Sequence, residues 1–189
     1  MNALLAFARA VDGLNARIGR ASMWLILLTV LISAGNALSR KLLSVSSNAL
    51  LEIQWTLYAA VFLLAAAYTL QKNEHVRIDV LVGRLSPRAG AVVDIIGGLL
   101  FVLPFTSLVL VYAWPFFLES WRSGEVSNNP GGLMLWPGKA LIPLGFSLLW
   151  LQGLAEVIKR IAFLAGRAPE PVLSHSPQGE DMILREDGQ

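Results

Sequence analysis

Leu50–Asp79 reads LLEIQWTLYAAVFLLAAAYTLQKNEHVRID, an apolar run that stops abruptly in charge. Leu50–Leu70 is apolar except for Glu52, Gln54, Thr56 and Thr69. About 20 such residues carry a helix across the hydrocarbon core of a bilayer. The polar end, Gln71–Asp79 (QKNEHVRID), cannot follow the helix into lipid, so this stretch predicts a span ending in a charged elbow at a membrane surface. Within the elbow His75, Arg77 and Asp79 alternate with Val76, Ile78 and Val80, so the polar groups share one side of an extended segment. A merely solvated loop does not need that apolar partner face.

Outward from this centre, one span precedes it and two follow. Ala21–Leu38 is the first, residues 50–70 the second, Ala91–Trp114 the third and Ala140–Phe163 the fourth. Gly35–Asn36–Ala37 resembles a small-x-small cleavage site, but the long segment ahead of the span and its full length favour a retained helix. Ser22, Thr29, Ser33 and Asn36 give that span one mildly polar face, suited to packing on another helix. Pro104 is expected to kink the third span, and Gly97–Gly98 to permit close approach. Ser86–Pro87 marks a helix start or turn. In the fourth span Glu156 and Arg160 are spaced for an i,i+4 pair. Pro115–Lys139 is expected to be the longest loop, with turn chemistry at Ser127–Gly132 and interfacial aromatics on its flanks.

Residues 1–20 read as an amphipathic helix in the headgroup plane, with Leu4, Phe7, Ala8, Val11, Leu14 and Ile18 on one face and Arg9 and Arg20 opposite. A disordered or soluble extension is the alternative there. Residues 164–189 turn rich in Pro, Ser, Gly and charge, the composition of a disordered tail. The expected architecture is therefore an all-α integral membrane protein: an interfacial helix over 1–20, a four-helix membrane domain over 21–163 and a tail.

Composition agrees. Of 189 residues 55% are hydrophobic and 15% charged, against about 25% charged in soluble domains. The net charge of +2 is not gathered into a basic face, which argues against a nucleic-acid partner. The absence of cysteine excludes disulfides, thiolate metal sites and cysteine nucleophiles. Lys and Arg set orientation. Eleven of the 15 fall on one side: Arg9, Arg17, Arg20; Lys72, Arg77, Arg84, Arg88; Lys159, Arg160, Arg167, Arg185. Arg40, Lys41, Arg122 and Lys139 fall on the other, which predicts both termini and the elbow in the cytoplasm.

The chemistry is sparse. Glu52, Asp94 and Glu156 lie near span ends rather than at the midplane, where a carrier needs its ionisable sites. Each reads as a structural or snorkelling acid, or as a contact to another membrane subunit. His75 and His175 lie outside the spans, and no P-loop, GxSxG or HExxH motif is present. An enzyme reading lacks parts, and no internal repeat supports a transporter built from inverted halves.

Several motifs together resemble the small membrane subunit, DctQ type, of tripartite ATP-independent periplasmic (TRAP) transporters, nearest to the mannitol/chloroaromatic branch. They are Asn48, Glu52 and Gln54–Trp55, the YTL of Tyr68–Leu70 with HVRID at His75–Asp79, Arg84–Ser86, GGL at Gly131–Leu133, and WPGK with IPLGF over Trp136–Phe146. The LQG at Leu151–Gly153, Glu156 and Lys159 complete the set. The resemblance spans residues 19–160. It implies a bacterial inner-membrane complex with a large membrane subunit and a periplasmic substrate-binding protein. It further implies sodium-gradient-driven uptake of organic anions, often carboxylates, with sodium bound by the large subunit and no cofactor in this chain. Glu52, Trp55, His75, Arg77, Asp79 and Asp94 are then expected at the partner-subunit interface. Asn128, Asn129, Gly131, Gly132, Trp136 and Lys139 are expected on the loop towards the binding protein. An anchor or assembly subunit of an unrelated membrane complex is the alternative. A small multidrug exporter would need a carboxylate inside the first span, which has none.

Overall fold

The computed structural model describes residues 2–44, 47–73 and 86–168. The elbow residues His75, Arg77 and Asp79 and the tail from residue 169 lie outside the described residues. Apart from one isolated antiparallel bridge, Val126 to Met134, the regular structure described is helical. Helix α1 is Asn2–Leu43 and α2 is Asn48–Gln71. Helix α3 (Pro87–Gly97) runs through a π-helical turn, Gly98–Val102, into α4 (Leu103–Ser123), and α5 is Trp136–Leu164. These make four rods long and apolar enough to cross a membrane.

Helix α2 is close to the sequence expectation. Its 24 residues rise about 36 Å, just over the hydrocarbon thickness. Asn73 at φ 58° stops it, and the Lys72 and Asn73 N–H groups donate to Tyr68 and Leu70 carbonyls at 2.9 and 3.1 Å. Ser86 caps α3 by accepting from the Ala89 N–H at 3.3 Å, with Pro87 in the first turn, where a missing N–H costs nothing.

Three boundaries differ from the sequence reading. The division at residue 20 is not a break: α1 is one helix of 42 residues, about 63 Å long. Its buried residues are Ala8, Val11, Asn15, Gly19, Ser22, Thr29 and Asn36, a stripe at spacings of three, four and seven that crosses the expected boundary without interruption. Leu4, Phe7 and Leu14, expected on the apolar face of a separate helix, are exposed, whereas Ala8 and Val11 pack on Ala155 of α5. The expected loop from Pro115 is helical as far as Ser123. Pro115 removes one donor, while Trp114, Phe117 and Trp121 stack along the helix at 6.1 and 6.2 Å. The connection is therefore Gly124–Leu135. Finally, the irregularity near Pro104 lies just before it. The Leu103 N–H reaches back five residues to the Gly98 carbonyl, and the widened turn absorbs the ring of a proline that cannot donate.

Helix α5 is the hub, packing against α1, α2, α3, the π turn and α4. Gly145 makes this possible: a Cβ there would stand 2.7 Å from both the Leu63 Cβ and its carbonyl oxygen, so α2 and α5 meet backbone to side chain. Several hydroxyls in the spans are satisfied within their own helices. Thr29, Thr106 and Ser147 donate to the carbonyls four residues back at 2.6–2.7 Å, so they add no open polar site to the interior.

Candidate functional site

At the α2 N-terminus Glu52 keeps only 8% of its surface exposed. Its carboxylate gathers the Gly124–Leu135 connection: the Ser127 hydroxyl and the Asn129 side-chain amide (2.7 Å) donate to Oε1, and the Leu133 N–H (2.8 Å) donates to Oε2. The hairpin it holds is prepared by its own sequence. Ser127 N–H donates to Leu133 O at 2.9 Å and Leu135 N–H to Glu125 O at 3.0 Å. The tip, Asn129–Pro130–Gly131–Gly132, closes through a 2.8 Å bond from the Gly132 N–H to the Asn129 carbonyl. With Gly131 at φ 73° and Pro before it, this is a type II turn, and a side chain at Gly131 would be strained. Asn48 adds a 3.3 Å bond to the Pro130 carbonyl.

Beside the hairpin Lys139 pairs with Glu125 and stands 4.2 Å over the Phe116 ring, while Trp136 meets Trp121 edge-on at 4.4 Å. The Lys139 ammonium holds the Glu125 carboxyl below the usual carboxylate range. The pair therefore contributes in full above that range and is lost as pH falls through the lowered value. Between hairpin, α2 and α5 lies a cleft of about 650 Å³ walled by Glu52, Trp55, Thr56, Met134 and Pro137. Trp55 is 63% exposed along it.

A second polar network ties the other end of the bundle. Asn15 of α1, 1% exposed, donates to Gln152 Oε1 of α5 at 2.7 Å, and Gln152 is fully buried. Gln152 Nε2 donates to Asp12 (2.8 Å) and to Glu156 (2.9 Å). Lys159 sits between the two acids, 3.0 Å from Asp12 and 2.6 Å from Glu156. The Gln71 side chain donates to the Asp12 carbonyl at 3.2 Å, which brings the end of α2 into the same knot. The expected Glu156–Arg160 pair is replaced: Glu156 takes Lys159, and Arg160 reaches across to Asp94 of α3 at 3.1 Å. A charge on a helix that has neighbours pairs across the interface when that satisfies two buried groups instead of one.

The structure therefore places the sequence-expected residues in three settings. Glu52, Asn129, Trp136 and Lys139 come together at the hairpin, with Asn128, Gly131 and Gly132 in or beside its turn. Trp55 walls the adjoining cleft and Asp94 stands at the opposite end with Arg160. Asp12 and Asn15 carry a network that sequence reasoning did not find. The signal for them was the stripe from Ala8 through Asn15 to Ser22, whose polar members mark a buried helix contact.

The family model for "Tripartite ATP-independent periplasmic transporters, DctQ component" matches residues 20–163. The chain belongs to the DctQ family. It is thus a small TRAP transporter subunit and a multi-pass membrane protein of a transporter family, not of an enzyme family. The match begins near the middle of α1 and ends one residue short of the end of α5, so it takes in both the Glu52 hairpin and the Gln152–Lys159 face of the inner network. Asp12 and Asn15 lie ahead of it. No curated protein and no solved structure matches this DctQ chain.

Proposed function

We propose that this DctQ subunit is a rigid scaffold, with both termini and the elbow in the cytoplasm and the Gly124–Leu135 hairpin in the periplasm of a bacterial inner membrane. It holds the large membrane subunit while that subunit takes up an organic anion, a carboxylate delivered by a periplasmic binding protein, driven by a sodium gradient. Sodium binds the large subunit. The HVRID and WPGK motifs support the mannitol/chloroaromatic-like branch, and the hairpin with Asn128, Asn129 and Lys139 is the surface offered to the binding protein. Trp55 and Asp94, at the ends of the bundle, and the elbow residues His75, Arg77 and Asp79 are the positions proposed to contact the large subunit.

One observation carries this reading. Four acids near the ends of the spans are engaged by partners in the same chain: Glu52 by the hairpin, Asp94 by Arg160, and Asp12 and Glu156 by Lys159. Charges used this way fix helices against one another, whereas a transport site needs groups left open for a carboxylate and a cation. The test is sodium-gradient uptake in proteoliposomes supplied with the loaded binding protein. Vesicles with DctQ alone should take up nothing, and vesicles with both membrane subunits should accumulate substrate. Saturable uptake by DctQ alone would overturn the scaffold reading.

A further inference from the structure

The outward side of α1 carries Arg9, Gly13, Arg17, Arg20, Trp24, Leu27 and Leu31, all exposed and spaced three or four residues apart. The stripe lies opposite the buried one. Read from the N-terminus it passes from three cations to an interfacial indole, Trp24 at 73% exposure, and then to aliphatic side chains. That is the order headgroup, interface and acyl chain take in one leaflet. Arg20 lies about 6 Å and Arg17 about 10 Å before Trp24 along the helix axis, the separation of a lipid phosphate from the top of its acyl chains. Charge accounting points the same way. Asp12 and Glu156 share Lys159, and Asp94 pairs with Arg160. Arg9 and Arg17 have no acidic partner among the described residues, and Arg20 only folds back to the Ala16 carbonyl at 3.1 Å.

We propose that this stripe is a binding site for an anionic phospholipid, whose phosphate rests at Arg17 and Arg20, with Arg9 adding to the positive field, and whose acyl chains lie along Trp24, Leu27 and Leu31. The site places the lipid in the cytoplasmic leaflet, which rests on the orientation proposed above, but its occupancy can be measured without reference to orientation. The purified full chain, in mild detergent with equal phosphatidylglycerol and phosphatidylcholine, is examined by native mass spectrometry. The wild-type chain should retain phosphatidylglycerol in about tenfold preference, as expected from cations each favouring an anionic surface. The Arg9→Gln/Arg17→Gln/Arg20→Gln variant should lose that preference, and Arg40→Gln/Lys41→Gln at the far end of α1 should keep it. Gly13→Glu, exposed and harmless to packing, sets a negative charge one turn from Arg17 and should weaken the preference as well. Equal retention of the two lipids by the wild-type chain, or a preference that survives the triple variant, overturns the proposal. So does a triple variant that keeps its lipid but fails to co-purify with the large subunit, which would make the stripe a protein-docking face.

Discussion

Glu52 is an acid placed where a membrane tolerates one, and the structure shows what it is for. Its position near the end of α2 was legible from hydropathy; its partners were not, because Ser127, Asn129 and Leu133 lie some 75–81 residues further on. No local pattern joins such groups. Glu52→Ala should leave three donors without their acceptor and release the hairpin from α2. Hydrogen exchange at the Leu133 amide should speed up, with Glu52→Gln falling between the variant and the wild type; unchanged protection in Glu52→Ala would mean that the turn holds itself. Gly145 makes the same point for packing. A Gly in an apolar span is legible as a place of close approach, but which helix approaches is not. Gly145→Ala pushes a methyl into the Leu63 backbone and should cost about 1–3 kcal/mol in a detergent unfolding assay. Gly138→Ala, whose Cβ would stand 3.8 Å from Thr56, should be near neutral.

Helices were read well where composition changes sharply and poorly where it changes gradually. The charge that ends α2 and the Ser86–Pro87 start of α3 are abrupt, and both boundaries hold. At residue 20 the exposed side of α1 changes from basic to apolar while the buried side continues in small and polar residues. Reading the exposed side divides the helix, and reading the buried side keeps it whole. The inner network fastens the N-terminal half of α1 to α5, with Lys159 as its centre. Lys159→Met leaves Asp12 and Glu156 in one partly buried knot with no cation between them. It should destabilise the chain, and Asp12→Asn in the same background should restore part of the loss. In a double-mutant cycle the two positions should couple by about 0.5–3 kcal/mol. Strict additivity would show that Asp12 and Lys159 do not act together in holding α1.

For the molecule as a whole, four rods against a bilayer follow from hydropathy, whereas the hub role of α5 does not. That role depends on which small residues face which neighbour, and Gly145, Gly153 and Ala155 look much like other small residues in an apolar run. Orientation is a property of the whole chain, and its physical basis is the uneven placement of Lys and Arg. The structure adds a constraint. Glu52 with the hairpin and the Asp12–Lys159 knot stand at opposite ends of the bundle, about 30 Å apart along α2 from Glu52 to Gln71. The two polar knots therefore belong to opposite membrane faces. The charge rule assigns the hairpin to the outside, because the Arg9, Arg17 and Arg20 side holds the excess of cations. The chain has no cysteine, so Ser47→Cys, Ser86→Cys, Asn128→Cys and Ser176→Cys each provide one thiol. An impermeant thiol reagent added to intact spheroplasts should label positions 47 and 128 and spare 86 and 176 until the membrane is opened. Labelling at 86 with protection at 128 would invert the bundle and put the Glu52 hairpin in the cytoplasm, out of reach of any periplasmic partner.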